Sequence, residues 1–127
     1  MRVPRLLVYE TDGRLAAILD SCAKRHQWIL YQPRSTNSCL RQLQRGGPAV
    51  LVLRLGRDLA RELAGLDQVS WSFPETAIIA VTDHEDTALT GLIWDLGASF
   101  VLWPPWLPGE LENITLGLMG APVGAWR

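Results

Sequence analysis

The sequence predicts an α/β fold: a single doubly wound (βα)5 domain in which helices cover both faces of a five-stranded parallel sheet. Three observations predict it. Five short β-rich runs alternate with helix-compatible segments, and only a few residues join each to the next. Three of those runs are almost continuously apolar, the mark of strands buried on both faces. The length, 127 residues, suits one domain around one hydrophobic core.

The first run, "RLLVYE" (5–10), leads into a stripe of Leu15, Ile18, Leu19 and Cys22, an i, i+3, i+4, i+7 pattern with Asp12 placed as its N-cap. The second, "WILYQ" (28–32), is followed by Ser35 or Thr36 as a cap. Cys39, Leu40 and Leu43 then face inward, and the pair Gly46 and Gly47 stops the helix. The third, "AVLVLRL" (49–55), precedes Leu59, Leu63 and Leu66. The fourth, "AIIAVT" (77–82), precedes Leu89, Leu92, Ile93 and Leu96, ended by Gly97. The fifth, "SFVLW" (99–103), precedes Leu107, Leu111, Ile114 and Leu118. Residues 120–127, "GAPVGAWR", read as a Gly/Pro-rich tail expected to fray, with Trp126 able to dock on the body. No internal linker divides the chain, so 1–127 is expected to be one domain.

Strict β–α alternation with short connections argues for an open parallel sheet, and five strands at this length point to the flavodoxin-like order 2-1-3-4-5. Ligands of such sheets bind beyond the carboxyl ends of the strands. The loops that matter are therefore 10–13, 54–58, 82–86 and 103–106.

Composition narrows the function classes. With 48% apolar and 20% charged residues the chain is ordinary for a globular protein, which argues against disorder. A net charge of −1 supplies no basic footprint, so nucleic acid is not an expected partner. No stretch approaches the roughly 20 apolar residues of a membrane helix, and the first residues lack a secretory pattern. A cytoplasmic protein is expected. Cys22 and Cys39 are not in a C-x-x-C arrangement and read as reduced structural thiols. The cluster "DHED" (83–86) entering a helix makes poor metal geometry and reads as a solvated, acidic first turn. His26 has no acid or nucleophile nearby in sequence and reads as surface. No phosphate-binding glycine loop and no nucleophile–base constellation is present, so no cofactor, no metal and no enzymatic activity are expected.

Four local motifs in order, over about residues 5–119, resemble the receiver domain of bacterial two-component response regulators. "LLVYETDG" matches the strand that ends in that family's acidic pair, and "PAVLVLRLG" the strand that ends in its phospho-accepting aspartate. "TAIIAVTD" matches the strand ending in Thr or Ser, and "GASFVLWPPW" the Gly-Ala, strand, Lys-Pro and aromatic signature. In the family the acidic pair and the aspartate converge on Mg²⁺, a hard cation that takes oxygen ligands. The aspartate then attacks a phosphoryl group whose charge the metal, a lysine and a hydroxyl stabilise.

This chain departs from that pattern where the chemistry lies. Arg54 stands at the nucleophile position, and a guanidinium only donates hydrogen bonds. Glu10 and Thr11 stand for the acidic pair, Pro104 for the lysine, and only Thr82 is kept. Asp58 lies four residues beyond Arg54, in the next loop or first helical turn, too far along to replace it. Pro105 falls where the family commonly has a cis proline. The resemblance thus implies a degenerate pocket without aspartyl phosphorylation. Two states of Arg54 are open: paired with Glu10 or Asp12 as a fixed cation in place of the metal, or solvated with no defined partner.

The family's fourth helix, fifth strand and fifth helix commonly form its partner and dimer face, and here that face would carry Trp94, Trp103 and Trp106. These either fill core gaps or supply an interface, where Trp is enriched. Trp94 lies off the Leu89, Ile93, Leu96 stripe and is the stronger interface residue. The expected function is a phosphorylation-independent, receiver-like signalling domain that contacts a protein partner or forms a homodimer. The alternative is a domain binding a small anionic ligand at the strand ends through Arg54 and Arg57 beside Thr82.

Overall fold

A computed structural model describes residues 4–10, 12–46 and 49–120. Thr11, Gly47 and residues 121–127 of the tail expected at 120–127, with Trp126, lie outside the described residues. The elements run β1 (Arg5–Tyr9), α1 (Arg14–His26), β2 (Ile29–Tyr31), α2 (Thr36–Gln44), β3 (Ala49–Leu55), α3 (Leu59–Ser72), β4 (Ala77–Thr82), α4 (Thr87–Asp95), β5 (Phe100–Leu102) and α5 (Pro108–Gly120). All strand pairs are parallel, and the order is β2-β1-β3-β4-β5, as the alternation predicts. β3 and β4 match their predicted runs; β1, β2 and β5 are shorter by one or two residues.

Two apolar layers flank the sheet, and the strand period of two sorts residues between them. Leu7, Leu51, Leu53, Leu55, Ile78 and Ala80 face α2, α3 and α4, where Cys39, Leu43, Leu66, Val69 and Ile93 meet them. Leu6, Val8, Val50, Val52, Ile79 and Val81 face α1 and α5, against Leu15, Ala16, Leu19 and Leu111. Both thiols are free and buried; desolvation raises Cys22 above its ordinary value and pushes Cys39 up to about 11. They are structural apolar groups.

Three predicted inward residues are not inward. Leu59 and Leu92 are exposed, and Leu107, at 70% exposure, precedes α5 altogether. The helical period continues past the residues the sheet can cover, and Leu92 lies beside Ile93 on the outer flank of α4. Conversely, β1 begins with a buried charge. The Arg5 guanidinium donates to the carbonyl oxygens of Gln42 and Gly46, at the C-terminal end of α2. That end carries unpaired carbonyls and the negative pole of the helix, which receive both terminal nitrogens of the buried cation.

Helix starts also differ from expectation at one place. Ser35 caps α2 by accepting the Ser38 N–H, and Asp86 caps α4 by accepting that of Leu89. α1 instead starts from Gly13, at φ 76°, and Asp12 is not its N-cap residue. Its first N–H groups are taken by two acids upstream: Asp12 accepts from Arg14 at 3.1 Å, and Glu10 from Leu15 and Ala16 at 2.9 and 2.8 Å.

The turn into β5 depends on Gly97. Its φ is +114°, and an added Cβ would lie 2.0 Å from Ser70 Oγ and 2.6 Å from Ser70 Cβ in α3. Gly97→Ala therefore combines a disfavoured backbone with a clash, and should destabilise by about 2–4 kcal/mol in urea titration. Adding Ser70→Gly should return only the clash part. Equal stability of Gly97→Ala and the parent would refute this account of the turn.

Candidate functional site

Beyond the carboxyl ends of β1, β3 and β4 the described charges gather around one side chain. Arg54 is the penultimate residue of β3, in register with Val81, and its side chain emerges at the sheet's end. Its Nη1 donates to Asp12 Oδ2 at 2.6 Å, from the loop after β1. Its Nε and Nη2 both donate to Asp83 Oδ1, at 3.0 and 2.9 Å, from the residue after β4. The three side chains are only 23%, 25% and 34% exposed, so this is a partly desolvated triad rather than a surface pair. The solvated state of Arg54 is excluded.

Glu10 is not its partner, because both Glu10 oxygens serve the start of α1. The sequence reading identified Asp12 as one alternative and missed Asp83. The available signal was topological: order 2-1-3-4-5 sets the ends of β3 and β4 side by side, and Asp83 is the first residue past β4.

Gly56 makes room for Asp83. Its φ is +143°, and a Cβ there would stand 2.5 Å from Asp83 Oδ2. The same loop is held by Glu62, which accepts the N–H of Gly56 at 2.9 Å and of Asp58 at 3.3 Å. Asp58 itself pairs with Arg61 at 3.5 Å.

The charges are mutually stabilising. The Arg14 N–H first, and the charge and hydrogen bond of Arg54 after it, outweigh partial burial and hold the Asp12 carboxyl below its ordinary 3.8. Burial by itself opposes the Arg54 charge, but the hydrogen bond and charge of Asp83, then those of Asp12, outweigh it and raise its pKa above the ordinary arginine value. Arg54 is a permanent cation with both hydrogen-bonding ends engaged.

Thr82 is 2% exposed and donates its hydroxyl to the His84 carbonyl at 3.1 Å. The Pro104–Pro105 peptide is cis. Pro104, Trp106, Thr82, Arg54, Asp83 and Arg14 line one groove of about 390 Å³. Trp106 packs on the α1/α5 layer, so it closes this groove from the inside. Trp94 and Trp103 are 45% and 38% exposed, and Trp94 meets Phe100 edge to face with centroids 6.2 Å apart. His26 is exposed and stacks on Trp28. Among the described residues no group of three or more His, Cys, Asp or Glu is placed to hold a metal, and no helix is long and apolar enough to cross a membrane.

No protein-family model matches the chain, and no curated protein does. Solved structures do. The chain is similar to a response regulator from Thermotoga maritima, with TM-score 0.79 and 13% identity over 94% of this chain and 100% of that one. It is similar to the chemotaxis protein CheY4 of Vibrio cholerae, with TM-score 0.76 and 12% identity over 92% and 99%. A CheY-like receiver domain from Methanospirillum hungatei gives TM-score 0.74 and 15% identity over 92% and 94%. At such identities the likeness is one of fold: the chain has the receiver-domain fold of response regulators, with the flavodoxin-like strand order.

Arg54→Met should cost about 2 kcal/mol by denaturation, since it leaves Asp12 and Asp83 facing each other without a cation. A double-mutant cycle with Asp83→Asn should show coupling; additive effects would mean that the pairs contribute nothing. For pH, a carboxyl lowered in the folded state adds stability that is complete above its unfolded value near 3.8. That contribution is lost as pH falls through the lowered value. Asp12→Asn and Arg54→Met should therefore each flatten the loss of stability below about pH 4, measured by thermal melts across the acid range.

Proposed function

We propose that this chain is a receiver-like signalling domain that works through protein–protein contact, without aspartyl phosphorylation and without catalysis of its own. One observation carries the reading: at the carboxyl end of β3 stands Arg54, hydrogen-bonded on two sides to Asp12 and Asp83. A guanidinium offers no nucleophile and repels a metal ion. The guanidinium lies between the strand ends, so a fixed cation stands in the region where the resemblance would put a divalent metal. The domain is then held in one state of its strand-end loops, and its output is a surface rather than a switch.

The surface that suits this role lies on α4 and β5. Leu92, Trp94 and Phe100 are each between 38% and 45% exposed, and Trp103 continues the patch past β5. Two aromatic rings already in edge-to-face contact form a rigid anchor with little side-chain entropy left to lose on binding. Trp106, turned inward, adds nothing to this patch. The alternative of an anionic ligand held by Arg54 is less well supported, because Asp12 and Asp83 occupy the donors such a ligand would need.

Trp94→Ala should weaken self-association or partner binding at least about tenfold, the usual effect of removing an interface tryptophan, while leaving the melting temperature within a few degrees. Sedimentation velocity at several concentrations and pull-down with the wild-type chain as bait provide the readouts; unchanged behaviour in both rules out this face. Separately, acetyl phosphate with Mg²⁺ should give no mass increase of the chain, and beryllofluoride no change in tryptophan fluorescence. A phosphoryl adduct would end the phosphorylation-independent reading.

A further inference from the structure

A second site lies beside the Arg54 triad, on the α2/α3 side of the sheet. The order β2-β1-β3-β4-β5 reverses direction between β1 and β3. Crevices at such points, outside the carboxyl ends of the strands, are where open α/β sheets take ligands. Here that crevice is a bipartite groove. A smaller depression of about 210 Å³ is lined by Arg34, Arg57 and Arg61 around Tyr9. It adjoins a larger one of about 420 Å³ that shares Tyr9, Arg34 and Arg61 and continues along neutral polar walls, Ser35 and Asn37 on one side and Gln68 on the other.

Four arginines and three carboxylates line the small depression, and their pairing is uneven. Of its carboxylates, Glu10 is turned to the N–H groups of α1 and Glu62 to those of Gly56 and Asp58, while Asp58 pairs with Arg61. Arg54 is spent on Asp12 and Asp83. Arg34 and Arg57, from the loops after β2 and β3, have no ion-pair partner among the described residues. Two exposed guanidinium groups from separate loops thus line one depression with their donors uncommitted to any carboxylate.

We propose that this groove binds a phosphate monoester of mononucleotide size, with the phosphate between Arg34 and Arg57 and the neutral remainder along Tyr9 towards Asn37 and Gln68. Planar guanidinium forks match phosphate oxygens two at a time, which suits a dianion better than a single carboxylate. The Tyr9 ring, packed from beneath against the α2/α3/α4 layer, offers a supported aromatic edge to a flat group. The larger depression has the size and hydrogen-bonding walls that a sugar or base requires. The site is independent of aspartyl chemistry and of the α4/β5 face, so it stands or falls apart from the function proposed above.

The test is calorimetry and thermal shift on the full chain with adenosine monophosphate, ribose 5-phosphate, adenosine and inorganic phosphate. The monophosphate should bind saturably and raise the melting temperature, as any ligand selective for the native state does, whereas adenosine should not. Arg34→Ala and Arg57→Ala should each weaken binding about tenfold. Arg41→Ala, on the exposed side of α2 away from the groove, should leave it unchanged, and the unliganded melts of all three should match the parent. The proposal is overturned if neither phosphate monoester binds or if inorganic phosphate alone binds as tightly. It is equally overturned if binding survives Arg34→Ala with Arg57→Ala or falls as much in Arg41→Ala.

Discussion

Burial of the central strands on both faces is the constraint from which the rest of this molecule follows. β3 and β4 leave no side of the sheet open to water along most of their length, so neither can carry a charge until it reaches its end. Each charged group that the strands do carry is accordingly at a terminus. Arg5 begins β1 and donates to carbonyls at the C-terminal end of α2. Arg54 nearly ends β3 and is neutralised by carboxylates from the two flanking loops. The polar chemistry of the fold is concentrated into a rim. There Glu10 accepts the first N–H groups of α1, Asp12 accepts from Arg14 N–H and from Arg54, and Asp83 accepts from two further Arg54 nitrogens.

The same constraint separates three surfaces. The groove lined by Pro104 and Trp106 lies on the α1/α5 side of Arg54. The arginine-lined crevice lies on the α2/α3 side. The aromatic patch on α4 and β5 is at the opposite edge of the sheet from β2. Arg54 lines both grooves, so the triad stands between them.

Much of this architecture was legible from the sequence, because period and punctuation are local signals. The five strands, their order and the caps at Ser35 and Gly46 follow from side-chain alternation, helical stripes and turn residues. The site was legible only in part. Arg54 could be singled out because the receiver resemblance puts the phospho-accepting aspartate at its position. Its partner Asp83 could not, since "DHED" carries the same composition as any acidic first turn. Asp86 in that tetrapeptide does cap α4, and only the tertiary proximity of β3 and β4 distinguishes Asp83 from it. Leu92, Leu107 and Trp106 were ambiguous for a related reason. A helical or post-strand apolar residue is equally compatible with a core and with an outer flank until the neighbouring element is placed.

The triad also bears on how this chain can change over generations. Replacing Arg54 by aspartate would set a third carboxylate against Asp12 and Asp83, in a space one guanidinium now fills, with proline at residue 104 where a neutralising amine would be wanted. Gly56 adds to the difficulty, because the backbone there leaves Asp83 just enough room to face an arginine. A neutral or acidic residue at position 54 leaves Asp12 and Asp83 without their cation, whereas lysine keeps the charge. Electrostatics thereby restricts which single exchanges at this position the fold tolerates.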